Sequence, residues 1–232
     1  MARRDNGGGF ENTMNYIICT TPRARSSVLM RYLKQLGAGY ADAWLNPWFD
    51  ALRDADNPEA HYTFIKSRET DGHCGIRVTW GALSNFCKKN NIKTKAFFDT
   101  ILPDAKFIYF TRDVLRQVVE AVFYESVNMF DDPLTTVPIQ NIHSMLKEYA
   151  IAMTAWELFF EKYDIQPCRI QCEDLIDNKE STCKHVMESL GIPYPSDITL
   201  RDRTRDALYQ NKEVDKWYNR VIKKQRELIY DN

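Results

Sequence analysis

Four short apolar runs, each leading into apolar positions at helical spacing, outline this 232-residue chain. The first, Tyr16-Ile17-Ile18-Cys19, reads as a buried strand. A basic, hydroxyl-rich turn follows, Thr20-Thr21-Pro22-Arg23-Ala24-Arg25-Ser26-Ser27, and then Val28, Leu29, Tyr32, Leu33 and Leu36 fall on one helical face. Gly37-Ala38-Gly39 is expected to stop that helix, and an aromatic-rich irregular stretch follows over 40–49, with Trp44, Pro47 and Trp48. The pattern predicts a second strand over 75–80 and a third over 106–111, introduced by a turn at Pro103-Asp104. Arg112-Asp113 then opens a helix whose stripe is Leu115, Val118, Val119, Val122 and Phe123. A longer amphipathic segment carries Ile142, Met145, Leu146, Tyr149, Met153, Trp156 and Phe160, a stripe that reads as core. The fourth strand is predicted over 168–172, ended by Glu173-Asp174-Leu175. The next helix is expected to start with Asp177 as N-cap and Glu180 as its return partner, and to stop at Gly191-Ile192-Pro193. Strands alternating with helices predict an α/β fold, a mostly parallel central sheet flanked by helices.

Composition narrows the picture. At 44% apolar and 27% charged residues, the chain has the makings of one α/β domain with a well-buried core, expected over 14–232. Residues 1–13 carry Arg3, Arg4 and Gly7-Gly8-Gly9 but no apolar segment, which predicts a flexible N-terminal tail and no signal peptide. No stretch reaches transmembrane length. A formal net charge of −1 excludes bulk attraction to nucleic acid, so an anionic ligand has to be held by a local basic cluster. Six cysteines without a repeating spacing, several inside apolar runs, read as reduced thiols of a cytoplasmic protein, and no zinc or other metal site is expected.

The turn between the first strand and helix supplies such a cluster. Backbone N–H groups and the positive dipole end of the helix, beside Arg23, Arg25, Ser26 and Ser27, suit a phosphate or sulfate ester. A nucleoside-triphosphatase loop needs G-x-x-x-x-G-K-[ST], and neither the glycine pair nor the lysine is present. Arg112 is expected at the carboxyl end of a strand and the start of a helix, the edge at which open α/β sheets bind ligands.

Taken in order, five motifs resemble one family. Thr21-Pro22-Arg23-Ala24-Arg25-Ser26-Ser27 is similar to the 5′-phosphosulfate loop of bacterial sulfotransferases of the trehalose 2-sulfotransferase type. Gly75-Ile76-Arg77-Val78-Thr79-Trp80-Gly81 resembles the family's Gly-x-basic-x-x-Trp-Gly strand. The run from Leu102-Pro103-Asp104 through Thr111-Arg112-Asp113 resembles its second nucleotide-binding strand, Glu173-Asp174-Leu175 its Tyr-Glu-Asp-Leu, and 211–220 with Trp217 its closing helix. The resemblance implies a P-loop-like sulfotransferase fold and 3′-phosphoadenosine-5′-phosphosulfate (PAPS) as donor. It places Pro22, Arg23, Ala24, Arg25, Ser26 and Ser27 at the 5′-phosphosulfate and Arg112 at the 3′-phosphate. The chain departs from the pattern at three places. Ala24-Arg25 stand where the family has Ser-Gly. Glu120 stands where the family shares the 3′-phosphate through a serine, and a carboxylate there repels a phosphate. Either Glu120 pairs with Arg116 four residues earlier on its helix, or Arg116 reaches the phosphate while Glu120 turns away. Ala43 occupies the position of the family's catalytic glutamate, with Asp42 beside it.

Sulfonate transfer runs in line, and charge grows on the leaving oxygen, where cations and backbone N–H groups stabilise it. Arg23 is expected in that role, helped by Ser26 and Ser27, with Arg25 at the sulfonate or facing solvent. Asp42 is the candidate base for the acceptor hydroxyl, or else a turn-stabilising loop residue; His61, His73 and Glu69 are lesser substitutes. Arg77 lines the acceptor site or pairs with an acidic neighbour, and Trp44, Trp48 and Trp80 form an acceptor platform or pack half-buried. The expected function is sulfonate transfer to a hydroxyl of a carbohydrate or small metabolite, without metal. The alternatives are a lapsed relative that binds its ligand without transfer, and a phosphoryl-transfer enzyme, disfavoured by the missing lysine. Phe123, Tyr124, Met129 and Phe130 offer a homodimer interface or a lid.

Overall fold

The computed structural model describes residues 14–43, 45, 63–67, 69–70, 72–129, 139–201 and 212–230. The sheet has four strands, β1 (Met14–Thr20), β2 (His73–Thr79), β3 (Lys106–Thr111) and β4 (Cys168–Gln171), all parallel, in the order β2-β1-β3-β4. The helices are α1 (Ser26–Gln35), α2 (Trp80–Lys89), α3 (Thr94–Ile101), α4 (Val114–Met129), α5 (Ile139–Lys162), α6 (Cys172–Asp177), α7 (Lys179–Leu190) and α8 (Lys212–Tyr230). The α/β class predicted from the alternating pattern is the observed one.

The alternation of β1 sorts its side chains to two layers. Tyr16 and Ile18, with Ile108, Phe110 and Ile170, pack under α1 and α7. Ile17 and Cys19, with Cys74, Ile76, Val78 and Tyr109, pack on α2, α3 and α5 through Leu83, Phe97, Phe98, Trp156, Phe159 and Phe160. A third cluster joins α4, α5 and α8 through Val118, Val119, Val122, Ile142, Tyr149, Val214 and Val221. The long amphipathic stripe of α5 is therefore core, serving two clusters from its two halves. Gly75 lies level with Tyr16, and a Cβ there would stand 2.3 Å from the tyrosine ring, so only glycine lets that ring lie across β2.

The chain leaves β1 towards β2 on one side and returns past β1 to β3 on the other, so the carboxyl ends of β1 and β3 form the switch point of the sheet. Thr20 Oγ1 donates to Phe110 O at 2.9 Å and Trp156 Nε1 donates to Thr20 O at 3.2 Å, which fixes the floor of that edge.

β1, β2 and β4 differ from expectation by one or two residues at their ends, and two boundaries have a definite physical cause. The second strand ends at Thr79, because its hydroxyl accepts from Ala82 N at 3.4 Å and caps α2, making Trp80 the first helical residue. Asp177 is not an N-cap: the chain turns helical at once after β4, Asp177 closes α6, and Asn178 is the N-cap of α7. Glu173 and Asp174 suit the first turn of α6 by charge, which the apolar periodicity does not register. Gly191 ends α7 at φ 75° as predicted.

Candidate active site

Arg25 and Arg23 both take left-handed backbone, at φ 67° and 60°, a conformation that costs a non-glycine residue about 1–2 kcal/mol. The loop over 21–25 pays for this with side-chain bracing from α4. Gln117 Nε2 donates to Thr21 Oγ1 at 2.6 Å and also to the Pro22 carbonyl, and Arg112 Nη1 donates to the Arg23 carbonyl at 3.2 Å. Arg25 is the N-cap of α1; an arginine has only donors, so it leaves the first-turn N–H groups of α1 without a side-chain cap from that position. Pro22 and Arg23 are exposed, whereas Ala24 and Ser26 are buried, so Ala24 packs into the core and Ser27 keeps partial exposure.

Beside the loop lies a buried charge cluster. Glu120 takes Arg25 Nε at 3.3 Å and Nη2 at 2.7 Å, and Arg112 Nη1 at 2.6 Å. The side chains of Arg25, Glu120 and Arg112 are only 7%, 7% and 2% exposed. Glu173 adds a longer contact to Arg112 at 4.0 Å. Glu120 therefore does not pair with Arg116, and Arg116 does not turn towards the loop. Position 120 points under the loop, while Arg116 pairs with Asp215 of α8 and stacks 5.8 Å from the Tyr218 ring. Asp113 caps α4 by accepting from Arg116 N at 2.7 Å, and burial beside Asp113 pushes the Tyr218 hydroxyl up. Burial likewise pushes the Cys172 thiol, next to Arg112, up to about 11.

Asp42 stands apart from this cluster. It bridges Ile76 on the outer side of β2, three residues back from Thr79, or about 10 Å from the carboxyl edge. Its carboxylate accepts from Tyr40 Oη at 3.0 Å and from Ala43 N at 2.7 Å. Arg77 is its electrostatic neighbour: burial lowers the guanidinium's pKa and Asp42 opposes that shift. Trp80 packs edge-on to Trp156 at 5.0 Å, as half-buried core. Glu69 pairs with Lys66 at 3.6 Å, and His73 opens β2. Phe123 packs on the third cluster. Trp44, Trp48, His61, Phe130, the side chains of Tyr124 and Met129, and the tail over 1–13 lie outside the described residues.

Gln117 was missed by the sequence reading, although an amide between Arg116 and the valines of the α4 stripe is a legible signal of a buried polar bond. The Arg25–Glu120–Arg112 cluster was missed because its members are 95 and 8 residues apart and only the fold brings them together. A cleft of about 880 Å³ opens at the opposite sheet edge, by Lys106, Phe107, Cys168 and Arg169. Its cations are committed: Lys106 donates to Ser189 O at 2.9 Å and Arg169 forms a two-pronged pair with Glu157. Among the described residues no helix is long and apolar enough to cross a membrane, and no three metal-binding side chains gather.

The chain belongs to the sulfotransferase family, whose model matches residues 16–196. That span holds β1 from Tyr16 onward, β2 to β4, the braced loop and the charge cluster. No curated protein matches the chain. Among solved structures it is similar to mouse sulfotransferase SULT7A1, complexed with PAP, at 12% identity and a TM-score of 0.44 over 90% of this chain and 65% of that one, just under two thirds of its length. It is also similar to the sulfotransferase domain from the curacin biosynthetic pathway, at 12% identity and a TM-score of 0.44 over 79% of this chain and 76% of that one.

Proposed function

We propose that this chain transfers a sulfonate group from an adenylyl phosphosulfate donor to a hydroxyl of a carbohydrate or small metabolite. The observation that carries the reading is the braced loop between β1 and α1: an exposed arginine in left-handed backbone beside the first turn of a helix, at the switch point of a parallel sheet. Arg23 binds the phosphosulfate and neutralises charge on the leaving phosphate oxygen, Ser27 and the α1 N–H groups orient it, and Gln117 and Arg112 hold the loop in place. Asp42 lies about 10 Å back from that edge, out of hydrogen-bond reach of an acceptor at the loop, so in this reading it is the turn-stabilising residue, tied to Tyr40 and to the Ala43 N–H.

The resemblance to the trehalose 2-sulfotransferase type names PAPS as donor. Its 5′ half fits the loop; its 3′-phosphate does not fit Arg112, whose charge Glu120 already answers in a buried setting. The six free cysteines accord with a reducing, cytoplasmic setting. The test is transfer from adenylyl phosphosulfates, with and without a 3′-phosphate, to a panel of sugars and metabolites, with Arg23→Ala as the control. Transfer that Arg23→Ala abolishes in a folded protein supports the reading. Nucleotide binding without transfer to any acceptor favours the lapsed relative.

A further inference from the structure

We propose that Glu120 is a specificity-determining residue: it makes the donor site select a nucleotide with a free ribose 3′-hydroxyl, adenosine 5′-phosphosulfate and its product AMP, over one bearing a 3′-phosphate. The inference rests on the donor reading above and refines it. Arg112 holds the loop from behind through the Arg23 carbonyl at 3.2 Å, so on the donor reading above the ribose of a nucleotide held by its 5′-phosphate is assigned to the side of Arg112 and Glu120. A phosphate arriving there meets a carboxylate that already takes Arg112 at 2.6 Å and Arg25 through two bonds.

To use either arginine, the phosphate has to displace Glu120 and leave that carboxylate buried without a partner, or sit beside it as a second anion a few ångströms away. No other arginine on this face of α4 relieves the conflict, because Arg116 is held by Asp215 and Tyr218. What the position offers is acceptor capacity. Glu120 accepts a ribose hydroxyl without losing its arginines, since a carboxylate has about four lone-pair sites. One turn earlier, Gln117 Oε1 is buried and has no donor among the described residues. In the resulting transfer the sulfur–oxygen bond to the phosphate breaks, its electron pair leaving with AMP. The acceptor oxygen forms the new sulfur–oxygen bond, and its proton passes to solvent water.

Calorimetric titration of the full chain with AMP, adenosine 3′,5′-bisphosphate and adenosine tests this. The expected result is that AMP binds at least as tightly as the bisphosphate and at least tenfold more tightly than adenosine, an advantage that Arg23→Ala removes. Glu120→Ser and Glu120→Gln should each shift the ratio towards the bisphosphate by tenfold or more. The wild-type ratio decides the matter even if both variants fail to fold. Bisphosphate binding tenfold or more above AMP overturns the inference and leaves the donor reading standing. AMP binding no better than adenosine overturns both.

Discussion

Arg23 and Arg112 flank the same carboxyl edge, one after β1 and one after β3, yet the fold uses them in opposite ways. Arg23 is exposed, on a backbone that a glycine would adopt more easily, with its carbonyl tied down from behind. Arg112 is buried and matched by a carboxylate at 2.6 Å. An exposed cation is screened by water and contributes little to stability. A buried, compensated one holds the architecture, and removing its partner is costly because a charge cannot stay in a low-dielectric interior alone. The pair shows that an arginine at a sheet edge is not by itself an anion site; the carboxylate inventory around it decides.

The sharpest way to break the comparison is Glu120→Ala, which leaves two buried guanidiniums uncompensated. It should destabilise the protein by about 3–5 kcal/mol, read by urea unfolding. An unaltered midpoint would show that water already answers these charges. Arg23→Gly should do the reverse. It relieves the left-handed strain, so stability stays level or rises by about 1 kcal/mol, while turnover falls about 10²–10³-fold.

A smaller effect concerns pH. Burial lifts the Cys172 thiol to about 11, so the folded chain holds that proton more tightly than the unfolded one. The resulting stability is complete below about pH 8.5 and is lost as the pH rises towards 11, on the order of 2 kcal/mol. Urea midpoints at pH 8 and pH 10.5 measure it together with the other buried thiols, Cys19, Cys74 and Cys183, and Cys172→Ala should reduce the difference without abolishing it. Asp42→Asn should leave turnover and nucleotide affinity unchanged and cost about 1 kcal/mol of stability through its bonds to Tyr40 and Ala43, separating the outer side of β2 from the loop. Least affected is Arg116→Ala, whose partly exposed pair with Asp215 is worth under about 1 kcal/mol. A loss near that of Glu120→Ala would mean that Arg116 belongs to the buried cluster after all.

Much of the fold was legible because apolar runs and helical stripes are local signals. β3 and the α5 stripe stand where periodicity predicts them, and Gly191 ends α7 where a left-handed residue is needed. The misplaced N-cap at Asp177 came from trusting a side-chain pattern: first-turn charge started a separate helix, α6, at Cys172, and the helix that Gly191 ends takes its N-cap one residue later, at Asn178. At the site, the loop was legible as strand, basic turn and helix. The partners of Glu120 were not, since the i, i+4 rule weighs only neighbours on one helix, and Arg25 reaches Glu120 across 95 positions.

The sequence by itself determined which segments become strands and helices, and that a basic, hydroxyl-rich turn follows β1, because hydrophobic period and turn chemistry act over a few residues. The tertiary structure alone decided which arginine stays exposed and which is buried against a carboxylate. Charge compensation depends on through-space distance and burial, and those exist only once β1, β3 and α4 have packed at one edge of the sheet.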